Sequence, residues 1–192
     1  GYHWGEWLEP GHEMSQDFMR NLVIPDSEVA TAYYAYAARL FAEISELLGS
    51  TPTAQRYYAL SEEIKAAYRH TFTNDGIIES DRQACYVRPI ALDLISDEEK
   101  VKNVAILNDM VIQNDYCIGT GFLTTPFILP ILTDYGYVET AYKMIENTKQ
   151  PSWLYNVSKG ATTIWENWHG VNEEGVPHDS FNHYAFGAVT QW

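Results

Sequence analysis

The chain has 192 residues, 46% hydrophobic and 20% charged, enough for one domain with a sizeable core. Twelve basic residues against 26 acidic ones leave a net charge of −14, which argues against nucleic acid or an anionic membrane surface as a partner. Two cysteines, Cys85 and Cys117, make neither a disulfide framework nor a zinc motif, and no apolar run approaches the roughly 20 residues of a membrane span.

The opening segment, Gly1–Gly11, carries Trp4, Trp7, Glu6 and Glu9 between glycines and reads as an aromatic, acidic loop. Asp26-Ser27-Glu28 has the form of a helix start. Val29, Tyr33, Tyr36, Leu40, Ile44, Leu47 and Leu48 then recur every three or four residues, predicting an amphipathic helix that Gly49 ends. Thr51-Pro52 restarts the chain as a second helix with Tyr57, Leu60, Ile64, Ala67 and Tyr68 inward. It ends near Phe72, and Asn74-Asp75-Gly76 makes the turn. Residues 76–82 connect, with room for a short strand. Gln83–Ile95 is read as helical despite Pro89. Ser96-Asp97-Glu98-Glu99 is a capping-box start to the next helix, which runs through Val101, Leu107, Val111 and Ile112. Asn114–Gly121 is a glycine-containing loop. It is followed by helices over Phe122–Tyr135 and Val138–Asn147, the second with Ala141, Tyr142 and Ile145 inward. Pro151–Lys159 is a loop or short helix. Thr162–Trp165 is β-branched and aromatic, so a few extended residues are expected there. Ser180 is expected to cap a last helix through Phe186 and Val189.

Helix pairs with long loops returning to one side build a curved array or a closed toroid. The distinctive residues fall on those loops, where binding and catalysis usually sit. Chief among them is Gly160–Trp168, GATTIWENW, in which the carboxylate of Glu166 stands between Trp165 and Trp168. Indole faces stack on the apolar C–H faces of sugars, and carboxylates and amides bind their hydroxyls. An aromatic core patch with a surface glutamate is the competing explanation.

Other chemistries fit poorly. His12-Glu13 lacks the second histidine of a zinc-protease motif, since position 16 is Gln. His169, His178 and His183 match no common zinc spacing. There is no nucleophile elbow and no phosphate-binding loop. Acid–base glycoside chemistry remains; it needs two carboxyl groups flanking the bond. Glu166 is the best candidate for one, with a basicity expected to be raised by its aromatic neighbours. Glu6, Glu9 and Glu13 are conceivable partners.

The run GATTIWENWHG (160–170), followed by SFNHYAFGAVTQW (180–192), resembles the C-terminal part of the catalytic domain of bacterial α-L-rhamnosidases, glycoside hydrolase family 78. GEWLEP (5–10) and IGTGFLTTPFILPIL (118–132) are similar to further segments of that family in the same order. The resemblance implies an all-α fold, an (α/α)6 barrel, of which residues 1–192 are one partial domain lacking its N-terminal helices and extreme C-terminus. It also implies inverting hydrolysis of terminal α-L-rhamnosides without a cofactor or metal. Glu166 falls on the general base, His183 on a histidine that contacts rhamnose hydroxyls, and Trp7 on a tryptophan lining the sugar subsite; Trp165 and Trp168 flank the base and are expected to shape the sugar pocket as substrate-binding residues.

Two departures stand out. The family's general acid lies in an acidic D-x-x-x-R-x-E motif, and these 192 residues contain none. Glu6 stands where the family has Asp. We therefore expect a piece of a longer protein, whose partners are a rhamnoside substrate and the remainder of the catalytic domain, with neither nucleic acid nor membrane. No signal peptide is visible, and the compartment is unknown from sequence, with soluble cytoplasmic placed ahead of secreted. The readings that compete with an enzyme are a non-catalytic carbohydrate-binding module and an α-solenoid interaction module.

Overall fold

A computed structural model describes residues 4–11, 27–172 and 174–192. Asp26, His12 and Glu13, named above, lie outside the described residues. The described residues form three helix hairpins and a long loop-rich segment.

The first hairpin joins α1 (Ser27–Leu47) to α2 (Thr51–Phe72). Gly49, at φ +77°, closes α1 with a left-handed residue; the amides of Gly49 and Ser50 donate to the carbonyls of Glu46 and Ser45. The expected inward face of α1 needs correction. Its buried residues are Val29, Ala32, Ala35, Ala38, Ala42 and Ser45, whereas Ile44, Leu47 and Leu48 are exposed. A ridge of alanines lets the two helix backbones approach closely, and the buried Ser61 hydroxyl of α2 donates to the Ala35 carbonyl at 2.9 Å. Ile64 and Tyr68 of α2 are buried as expected, but Ala67 is exposed.

A two-residue ribbon, β1 (Thr73–Asn74) with β2 (Ile77–Ile78), turns the chain into α3 (Gln83–Ala91). Pro89 lies inside α3, and the helix ends four residues short of the expected Ile95. Asp93 takes φ +61°, and Leu94 donates to the Pro89 carbonyl at 2.9 Å, the same left-handed closure as at Gly49. The capping box forms as read: Ser96 Oγ accepts from the Glu99 amide and Glu99 Oε2 accepts from the Ser96 amide. It opens α4 (Asp97–Gln113), on which Val104, Leu107 and Val111 are buried but Val101 and Ile112 are exposed.

The third hairpin is α5 (Thr125–Asp134) with α6 (Val138–Ile145). Tyr142 of α6 faces outward against Trp192, not inward. A short α7 (Trp153–Ser158) follows, and the chain ends in a 3₁₀ helix, Ala185–Gln191. Ser180 does not cap that helix; its amide is used elsewhere, as described below. The main core gathers Val87, Leu107, Ile128, Leu129, Leu132 and Met144 with Trp168 and Phe186. A second core lies between α1, α2 and the end of α3, around Ala35, Tyr68 and Leu94.

Candidate functional site

Three loops contact one another: residues 4–11, residues 117–124 and the described part of residues 160–184. Each is held by specific hydrogen bonds, because buried loop backbone must be satisfied one group at a time.

The first loop is anchored by Glu6, whose side chain is wholly buried. Its Oε2 accepts from Arg88 Nη2 of α3 at 2.6 Å, and its Oε1 accepts from the Thr124 amide at 3.0 Å and the Thr124 hydroxyl at 2.7 Å. Arg88 also pairs with Glu28 of α1. Burial alone would pull the guanidinium pKa down, but Glu28 and Glu6 outweigh it and hold it above its ordinary value. Tyr33, beside this cluster, is pushed up to about 12 by burial and by Glu6. Glu9 is equally buried and takes a two-pronged pair from Arg82. Both carboxylates are thus engaged in buried ion pairs.

The second loop runs from Cys117 to Thr124. Buried Gln83 accepts from the Gly119 amide at 2.8 Å and donates to the Cys117 carbonyl at 3.2 Å. Thr120 and Thr125 bond through their hydroxyls at 2.7 Å. The loop does not carry helix α5 back to Phe122 as expected, because the Thr124 amide and hydroxyl are committed to Glu6. Phe122 instead donates its amide to the Trp7 carbonyl at 2.9 Å. Trp7 is half-buried and meets Trp4 edge-on, with ring centres 4.7 Å apart. Trp4, Gly5, Trp7, Phe122 and Leu123 line an apolar depression of about 370 Å³.

The third loop carries the tryptophan–glutamate motif. The expected extended run appears as a paired segment, without regular strand. His183 donates its amide to the Ile164 carbonyl at 2.9 Å, and Glu166 donates to the Ser180 carbonyl at 2.9 Å. The Ser180 amide returns a bond to Glu166 Oε2 at 3.1 Å. Glu166 is half-buried, and its Oε1 has no hydrogen-bond partner among the described residues. His183 stacks on Phe122 at 4.9 Å and on Tyr184 at 5.7 Å. Its Nδ1 accepts from the Ala185 amide at 3.3 Å, which leaves Nε2 as the protonated, donating nitrogen.

The five residues singled out from sequence thus fall into two groups. Trp7 is bonded to Phe122 through backbone, His183 stacks on the Phe122 ring, and the Glu166 segment is paired with the His183 segment. Trp165 and Trp168 are packing residues in this geometry. Trp165 is buried and stacks flat on Phe181 at 4.3 Å. Trp168, 1% exposed, is wedged between Phe186 and Trp153 in the main core. Sequence reasoning missed Phe122, the shared platform, and the Arg88–Thr124 tie. Phe122 follows the Gly119–Gly121 loop that was noted, but nothing local distinguishes it from a core phenylalanine.

Three helix hairpins whose loops bond to one another, with a half-buried carboxylate on a segment paired to that of a stacked imidazole, are an all-α arrangement of the helix-hairpin glycosidase type. The comparisons carry this further. A family model described as the bacterial alpha-L-rhamnosidase 6 hairpin glycosidase domain matches residues 1–192, and the chain belongs to that family. It is 34% identical over 98% of its length to an alpha-L-rhamnosidase of Streptomyces avermitilis, and 33% identical over 97% to one of Formosa agariphila. It spans only about a fifth of those relatives, 18% and 20% respectively. The crystal structure of the Streptomyces avermitilis enzyme complexed with L-rhamnose superimposes with a TM-score of 0.85 over 98% of this chain and 18% of that one. The native Aspergillus terreus enzyme superimposes at 0.89, with 30% identity, over 100% of this chain and 23% of that one. The fold is the all-α helix-pair toroid of these glycosidases, of which the described residues supply three hairpins.

Proposed function

We propose that this chain is part of the catalytic domain of an α-L-rhamnosidase, and that Glu166 is the general base of an inverting hydrolysis of terminal non-reducing α-L-rhamnosides. The observation that carries the reading is the pairing of residues 164–166 with residues 180–183. It ties the segment of a carboxylate with one engaged and one open oxygen to the segment of an imidazole that stacks on Phe122, whose amide bonds the Trp7 carbonyl.

In this mechanism Ser180 holds Glu166 by Oε2, so Oε1 takes a proton from water. The water attacks the anomeric carbon on the face opposite the leaving group. A second carboxyl group, outside these 192 residues, protonates the leaving oxygen. His183 Nε2–H donates to a sugar hydroxyl, and Trp7 offers its ring to the apolar face of the sugar. Trp165 and Trp168 act through packing, keeping the Glu166 segment in place from either side. This two-carboxylate chemistry uses neither metal nor cofactor.

The test is Glu166→Gln in the full-length protein. The amide cannot take a proton from water, so turnover of an aryl α-L-rhamnoside should fall by about 10²- to 10⁴-fold. L-Rhamnose binding, followed by tryptophan fluorescence, should persist. Unchanged turnover refutes the role of Glu166. Binding without turnover in the wild type as well would point to a carbohydrate-binding module instead.

A further inference from the structure

The mechanism makes no use of the most deeply buried charges in the described structure, Glu6 and Arg88. We infer that Arg88, Glu6 and Thr124 form a positioning clamp that sets the Trp7–Phe122–His183 wall, and so governs how the sugar is held. The inference rests on the rhamnosidase reading and deepens it.

The geometry is specific. Glu6 is the residue before Trp7, and Thr124 lies two residues after Phe122. A single carboxylate joins the two segments, accepting twice from Thr124 and once from Arg88. Arg88 belongs to α3 and also grips Glu28 of α1, so the clamp is referred to two helices and not to another loop. Between the two anchors the backbones touch. The Phe122 amide bonds the Trp7 carbonyl, and a Cβ on Gly121 would collide with that same oxygen. Phe122 then carries His183 by stacking. Apolar packing alone would let these rings slide. A charged, directional pair sets their register.

None of the three side chains touches the sugar in this scheme; they act through Trp7, Phe122 and His183. Their removal should therefore alter binding more than the chemical step, which depends on Glu166 on a separate segment. The gentlest probe is Thr124→Val in the full-length protein, which removes one buried hydroxyl at nearly constant shape, compared with Thr124→Ser, which keeps it. For an aryl α-L-rhamnoside, Thr124→Val should raise KM about three- to tenfold with kcat within about twofold, and Thr124→Ser should restore KM. Amide hydrogen exchange at Phe122 should quicken at least tenfold in the valine variant and return to the wild-type rate in the serine variant. Glu6→Gln should give the same pattern more strongly where the protein folds.

Unchanged KM, an equal loss confined to kcat, or unchanged Phe122 exchange in Thr124→Val overturns the clamp while leaving the rhamnosidase reading intact. Wild-type protein with no rhamnoside turnover overturns that reading, and with it the purpose assigned to the clamp; the exchange rates still judge the contact itself.

Discussion

Glu6 and Glu166 are both glutamates beside tryptophans, and the structure gives them opposite fates. Every oxygen of Glu6 is taken by Arg88 or Thr124, so its carboxylate serves only to hold segments together. Glu166 spends one oxygen on the Ser180 amide and keeps the other. The difference is invisible in sequence, because it depends on partners 82 and 118 positions away from Glu6. What sequence did reveal is residue type and local setting: Glu166 between indoles, and His183 in a polar-aromatic run. Those choices led to two segments that the fold brings into contact. His183 also offers a direct test. Its ring packs on Phe122, and its Nε2–H is the group proposed to reach a sugar hydroxyl. His183→Phe in the full-length protein should keep the stack and lose one hydrogen bond, worth about 0.5–1.5 kcal/mol. KM for an aryl rhamnoside should rise roughly two- to tenfold, and an unchanged KM would exclude the contact.

At the scale of elements, the first two helices were legible, while helix faces and the ends of later helices were less so. The three-to-four periodicity located α1 and α2, because a helix must bury one stripe wherever it packs. It chose large residues for the α1 interface, yet the interface is Ala32, Ala35, Ala38 and Ala42. Alanine carries little hydrophobic weight but allows close backbone approach, and only the packed pair shows which effect prevails. The end of α3 illustrates the same limit. Asp93 closes it in a left-handed conformation and also holds Lys65 of α2 and Lys100 of α4, at 3.4 and 2.6 Å. Burial would raise the Asp93 pKa, but the hydrogen bond and charge of Lys100, aided by Lys65, hold it below the ordinary carboxylate value. A depressed folded-state pKa contributes stability that is present above the unfolded value, about 4, and is lost as pH falls through the lower folded value. Asp93→Asn tolerates the same backbone and removes the charge. It should lower the midpoint of thermal unfolding at pH 7 by a small amount, since the carboxylate is half exposed and screened. The two proteins should converge as pH drops below about 4. A gap that stays constant from pH 7 to pH 3 would show that the effect is not electrostatic.

For the whole molecule, the decisive fact is that three loops, the first more than a hundred residues before the other two, share one wall. Trp7 meets Phe122 through backbone, Phe122 meets His183 through stacking, and His183 is zipped beside Glu166. The proposed base is present, but the D-x-x-x-R-x-E motif that the sequence resemblance leads one to expect for the acid is absent from these 192 residues. An inverting site needs both carboxyl groups, roughly 6.5–9.5 Å apart with a water between them. The isolated 192-residue chain should therefore show no measurable turnover of an aryl rhamnoside under conditions where the full-length protein is active. Robust turnover by the isolated chain would mean that a carboxylate within it serves as the acid. Removing a partner from the Glu6–Arg88 pair tests the other dependency. Arg88→Met in the full-length protein removes the guanidinium that pairs with buried Glu6, and breaking a buried pair in this way costs about 3–5 kcal/mol. Differential scanning calorimetry should show a clearly lowered transition, and a shift too small to resolve would show that the pair contributes nothing net.

By itself the sequence determined the helical class, the hairpin order, the capping box at Ser96 and the residue types of the site. Each of these is set by neighbours within a few positions or by a periodic pattern. Tertiary structure decided which carboxylate is consumed and which stays open. It turned Trp165 and Trp168 into packing residues and made Phe122 the platform between Trp7 and His183. Those outcomes depend on contacts between distant segments, whose hydrogen-bond partners are assigned only when the loops close on one another. The tryptophan–glutamate motif could be recognised in the chain, but which of the Glu166 oxygens is engaged by Ser180 could be recognised only in the fold.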